Sequence, residues 1–99
     1  ITNNKNELIS GSNSTIDIWN MSTGHIIKTL TNHTNWISSL ILTKNDELIS
    51  GSFDDTIKIW NMTTSQVKQT IVGNPNVISL IINKNDELIT GSHTAIKIY

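Results

Sequence analysis

Cysteine is absent from this 99-residue chain. That excludes disulfide staples and thiolate metal sites, and it favours a reducing compartment, cytoplasmic or otherwise intracellular. Arginine is absent too: all seven basic residues are lysines. Planar bidentate recognition of phosphate is therefore ruled out. Net charge is -1 and the pI about 6.3, so the basic footprint of a nucleic-acid or anionic-membrane partner is missing. No apolar run approaches the length of a membrane span, and no signal peptide is visible. Proline occurs once and aromatic residues make up 5% of the chain. The first residue is Ile1, not Met. Asparagine and isoleucine are heavily used, which suits an AT-rich genome more than any function.

What is present is repetition. Glu7–Ser12 reads ELISGS, Glu47–Ser52 reads the same, and Glu87–Ser92 reads ELITGS, each copy 40 positions after the last. A fixed period of that size marks a repeat architecture, whose units bury their faces only against neighbours. After each Gly-Ser comes a short polar segment, then Thr15–Trp19, Thr56–Trp60 and Ala95–Tyr99. Isoleucine alternating with polar residues is period two, so these segments are predicted strands, hairpin-paired with the ELISGS segments. Two more strands per unit fit at His25–Leu30 and Ile37–Leu42, and again at Gln66–Ile71 and Val77–Ile82. Pro75 and Gly73 interrupt the second pair. Nothing carries helical periodicity. Ile57 and Ile59 are expected to point one way, Lys58 and Trp60 the other. A four-stranded sheet apolar on both faces wants a sheet on each side, and radial stacking of such sheets makes a β-propeller.

The same residues resemble the WD-repeat β-propeller family over nearly the whole chain. The resemblance rests on His33-Thr34-Asn35-Trp36-Ile37-Ser38-Ser39-Leu40, then Glu47–Ser52, then Phe53–Trp60. The family's Trp-Asp pair is Trp19-Asn20 and Trp60-Asn61 here, Tyr99 ends the third copy, and the family's Gly-His is Asn32-His33 and Gly73-Asn74. The resemblance implies an all-β chain: part of a propeller, with four-stranded antiparallel blades and an incomplete ring. It divides the chain into 1–35, an incomplete first blade with its outer strand and linking loop, 36–71, a complete central blade, and 72–99, an incomplete third. Seven blades need about 280 residues, so the expectation is a piece of a longer protein or a chain that forms rings with other copies.

It also implies a buried hydrogen-bonded network, which the middle unit supplies with His33, Asp54, Trp60 and either Ser50 or Ser52. Ser, His and Asp together invite a catalytic-triad reading. The serine lies mid-strand, however, with no nucleophile-elbow turn and no oxyanion-hole signature, so the structural reading is preferred. His25, His33 and His93 sit at different repeat positions and do not form a metal set. Glu7, Glu47 and Glu87 are repeat consensus. Four Asn-x-Ser/Thr sequons, starting at Asn13, Asn20, Asn32 and Asn61, are expected by chance in such a composition. No cofactor, metal or catalytic residue is expected.

Partners of similar propellers dock on one rim. By resemblance the docking positions are Trp36, Ser38 and Phe53, with Asn13, Ile78 and His93 in the flanking units. Trp36 is an insertion relative to the third copy, where Asn76 meets Val77 directly, and core packing gives no reason for it. A Trp beside a Phe on a loop rim has the composition of an interface hot spot. The expected function is a non-enzymatic scaffold for protein or peptide partners, not for nucleic acid or membrane. The alternatives are a purely architectural or self-assembling propeller piece and, further off, a propeller enzyme.

Overall fold

The computed structural model describes residues 1–73, 79–92 and 95–99. Among them the chain forms ten strands and no helix. They are β1 (Glu7–Ser12), β2 (Thr15–Asn20), β3 (Ile26–Thr31), β4 (Ile37–Leu42), β5 (Leu48–Ser52), β6 (Thr56–Asn61), β7 (Gln66–Val72), β8 (Ser79–Ile82), β9 (Leu88–Gly91) and β10 (Ile96–Ile98). All pairing is antiparallel and in chain order, giving the sheets β1-β2-β3, β4-β5-β6-β7 and β8-β9-β10. The inner strands carry the sheet-to-sheet packing, β1 against β4 and β4 against β8. This is an open, partial propeller.

The alternation read from the sequence decides the packing. Trp60 faces the first sheet and is buried with Leu48 among Ile9, Ile16, Ile18 and Leu30. Ile57 lies on the opposite face and is buried with Ile49 against Leu80 and Leu88 of the third sheet. The central sheet thus gives one face to each neighbour, the device by which propellers bury strands that are apolar on both sides. Lys58, on the Trp60 face, is also buried, and its ammonium donates to the Thr70 hydroxyl at 3.2 Å.

Several strand limits fall a residue or two from expectation, and two differences have a structural cause. The third strand starts at Ile26, not His25, because the His25 carbonyl still closes the preceding turn by accepting from the Asn20 N–H at 2.9 Å. Residues Ile1 and Thr2, which precede the first expected strand, pair with β1 on its inner edge. The Ile9 N–H donates to the Ile1 carbonyl at 2.7 Å, and Thr2 bridges Leu8. That repeats the register of Ile41 with Ile49 and Leu42 with Leu48, so these two residues occupy the end of an innermost-strand position.

Turn chemistry explains why Asn serves after Trp19 and Trp60. The Asn20 side-chain oxygen accepts from the N–H groups of Ser22 and Thr23, and Asn61 does the same for Thr63 and Thr64. An amide oxygen satisfies those turn donors as a carboxylate would.

Gly11 is required for a different reason. A Cβ there would fall 2.6 Å from Cγ2 and 2.8 Å from Cβ of Ile37, on the neighbouring sheet. Gly91, its counterpart 80 positions on, has nothing nearer among the described residues than the Ser79 Cβ at 4.0 Å. Gly11→Ala should therefore push two sheets apart and cost about 1–2 kcal/mol, whereas Gly91→Ala should be close to neutral. Chemical melts of the two variants compare them directly. Similar losses would place the cost in the strand backbone rather than at the sheet contact.

Candidate interaction site and its supporting network

The loop between β3 and β4 and the turn between β5 and β6 meet at one end of the central sheet, and a chain of hydrogen bonds fixes them. The carboxylate of Asp54 can only accept. The His33 Nδ1–H therefore donates to its Oδ2 at 2.7 Å. His33 Nε2 is then the acceptor, and the Ser50 hydroxyl donates to it at 2.6 Å. The Ser50 oxygen in turn accepts from the Trp60 indole N–H at 2.8 Å. The donors along this line all point one way, from Trp60 towards Asp54. Further donors fill the carboxylate: the Thr34 N–H reaches Oδ2 at 3.1 Å, while the Thr56 N–H at 2.9 Å and the Thr56 hydroxyl reach Oδ1.

Ser50, not Ser52, is thus the serine of the network. Ser52 braces the turn instead, accepting from the Asp54 N–H at 3.1 Å and donating to the Asn35 carbonyl at 3.1 Å. The first sheet keeps only the Trp19 N–H to Ser10 bond, at 2.9 Å. Thr56 went unnoticed in the sequence. An Asp two residues before a Thr is an Asx-turn pattern that signals it.

The Ser50–His33–Asp54 distances match those of an acyl-transfer triad, but the chemistry does not follow. Ser50 has no exposed surface, and its oxygen is occupied by Trp60. No substrate carbonyl can reach it.

Burial lowers the His33 imidazole's affinity for a proton more than Asp54 raises it, so the ring takes up a proton less readily than an ordinary imidazole. Burial also works against the Asp54 charge. Hydrogen bonds from Thr56, His33 and the Thr34 amide outweigh it and hold the carboxyl down to about 2. The sign of the pH dependence follows for both groups. The unfolded chain takes up a proton at an ordinary imidazole near 6.5 while the native state does not, so stability falls as pH drops below that value. A second loss follows between the ordinary carboxylate value of 3.8 and about 2. Denaturation midpoints should already decline between about pH 7 and about pH 5. A His33→Gln variant should lose this first decline, and a wild-type profile flat over that range would remove the assignment.

On this frame sits the rim. Trp36 is 63% exposed and Phe53 38%. The Phe53 N–H donates to the Trp36 carbonyl at 2.9 Å, which continues the Ile37–Ser52 pairing by one step and makes the two aromatics a cross-strand pair. The Trp36 N–H donates to the Asn35 side-chain oxygen at 2.8 Å, and the Asn35 amide reaches the Phe53 carbonyl at 3.4 Å. Asn13 joins them through its backbone: its carbonyl accepts from the Ile37 N–H at 2.7 Å, across the sheet boundary.

Ser38 is placed differently from these three. It is the extra residue of a β-bulge between Ile37 and Ser39, and its hydroxyl is buried without a hydrogen-bond partner. Ile78 and His93 lie outside the described residues. Among the described residues no group of His, Asp and Glu is placed to hold a metal ion, and no helix is long and apolar enough to cross a membrane.

The family model "WD domain, G-beta repeat" matches residues 24–61. These run from the turn before β3 to the end of β6, and so include the whole network and the rim pair. Among solved structures, the WD40 β-propeller domain of Doa1 is similar, at 28% sequence identity and a TM-score of 0.85. The alignment covers 93% of this chain and 32% of that one, so the chain spans about a third of that relative's length. No curated protein sequence matches.

Proposed function

We infer, for a chain that is a WD-repeat propeller segment, a non-enzymatic scaffold function in which the Trp36–Phe53 rim docks protein or peptide partners. The observation that carries this reading is an exposed aromatic pair on a rigid base. Such side chains are normally buried; here hydrogen bonds to Asn35 and along the main chain hold the backbone that presents them at the surface. A preorganised aromatic anchor loses little entropy on binding. Asn13 contributes to the same surface as a structural link between two sheets. Ser38 is left in the reading as a supporting residue, since its hydroxyl is buried. A location inside the cell accords with the lack of cysteine.

Trp36→Ala tests the assignment. Binding should weaken about tenfold or more, while stability moves by only about half a kcal/mol. The measurement pairs a calorimetric titration against partners retained by the unaltered protein with a chemical melt. Retained binding with a collapse in stability would make Trp36 a core residue.

The alternative, architectural reading also has support. Ile96 and Ile98 are 77% and 63% exposed, yet they occupy the positions of Ile57 and Ile59, which the third sheet covers. That face is built to take another sheet, whether from a longer chain or from a second copy. Solution mass as a function of concentration separates the two.

A further inference from the structure

The rim is acidic as well as aromatic, and its charges name the chemistry of the partner. The chain has seven lysines, and among the described residues none falls in residues 13–14, 32–36 and 53–55, which join strands at this end of the sheets; the only residues there carrying full charge are Asp54 and Asp55. Asp54 is ionised, its carboxyl held down to about 2. Its oxygens are occupied by His33, Thr34 and Thr56, so it supplies field rather than a contact. Asp55 is exposed and held at φ 69°, in the turn that follows Phe53.

Lys44, by contrast, lies at the opposite end of the sheets, paired with Asp86 at 2.9 Å, and Lys68 pairs with Glu47. Lys58 acts on His33 within the network, but it is buried and its ammonium is engaged by the Thr70 hydroxyl at 3.2 Å; the Lys97 ammonium donates to the Gly73 carbonyl at 2.9 Å. Gly73 follows the outermost strand, β7, whereas Trp36 leads into the innermost, β4. Three inter-strand spacings separate those strands, roughly 14 Å, which exceeds the screening length of about 8 Å at physiological salt.

Resting on the docking reading above, we propose that the rim recognises a cationic side chain, the Lys or Arg of a basic peptide. The cation lies over the Trp36 ring, Phe53 flanks its aliphatic stem, and the Asp55 carboxylate pairs with its charge. Each contact is ordinary: a cation over indole is attracted by the ring quadrupole, more so when Asp55 and the ionised Asp54 add a negative field. Arg gains additionally by stacking its planar guanidinium. An acidic peptide would meet two carboxylates and no lysine.

The test uses short Gly/Ser peptides that differ only in their functional residue: Arg, Lys, Gln or Glu. Each is titrated by calorimetry against the unaltered protein, Trp36→Ala and Asp55→Asn, at low and high salt. The Arg and Lys peptides should bind, and the Gln and Glu peptides should not. Trp36→Ala should weaken binding about tenfold, and Asp55→Asn about two- to fivefold, the range of an exposed ion pair. High salt should diminish the Asp55 effect. Both residues are exposed, so melts should stay unchanged. Equal binding of the Gln and Arg peptides, or full affinity in Asp55→Asn, overturns the cationic assignment while leaving an apolar docking pad intact. Failure of both basic peptides to bind also overturns it. If Trp36→Ala additionally leaves partner retention unchanged, the docking reading falls separately.

Discussion

Trp60→Ala should destabilise the protein by about 3–5 kcal/mol, the range for truncating a buried aromatic. Trp60 is 1% exposed and stands at the boundary of two sheets, packed on Ile9, Ile16, Ile18 and Leu30 of the first while belonging to the second. Its removal opens a cavity that neither sheet can fill alone. It also removes the only indole donor to Ser50, at the end of the hydrogen-bonded line to Asp54. Trp19 occupies the same repeat position in the first sheet, but it is partly exposed and its bond to Ser10 leads no further. Trp19→Ala should therefore cost clearly less. Urea melts of both variants decide the matter: equal losses would show that inter-sheet burial and the network add nothing to the bare loss of a ring.

The second large effect is expected at the other end of that line. Asp54→Ala removes the acceptor for the His33 Nδ1–H, the Thr34 and Thr56 amides and the Thr56 hydroxyl. A buried donor left without a partner costs more than the bond itself contributed. The loss should be about 3 kcal/mol, with Asp54→Asn milder because its amide oxygen can still accept. The variant should also lose the stability change that the wild type shows between the ordinary carboxylate value of 3.8 and about 2. Coupling gives an independent check. If His33 and Ser50 transmit order from Asp54 to Trp60, the double variant should be less destabilised than the two single losses summed. Strict additivity would mean that the two ends act separately.

The same residues show how far a linear reading reaches. His33, Asp54 and Trp60 were identifiable because the WD-repeat resemblance assigns roles by spacing, and those positions stand at matching offsets. The choice between Ser50 and Ser52 stayed open. Both lie in β5, two residues apart and so on the same face of the strand, and only distance from the imidazole separates them. Thr56 was missed since its function arises from a turn, not from the repeat pattern. Ser38 was expected on the rim beside Trp36 and Phe53. Its hydroxyl is buried because a bulge between Ile37 and Ser39 shifts the register there, and alternation counted along a sequence is blind to an inserted residue.

The sequence alone determined the strands, their order and the two apolar faces. Each follows from local alternation and from a repeat of 40 residues, and neither needs knowledge of what lies across the sheet. Tertiary structure decided what those faces meet. Ile57 and Ile96 belong to equivalent positions of two repeats, yet one is wholly buried and the other 77% exposed. Gly11 and Gly91 are equally alike, and only Gly11 lies against an Ile37. The pattern of a repeat records what each unit can bury. Burial itself is a property of the contact, and a contact exists only once two units have packed.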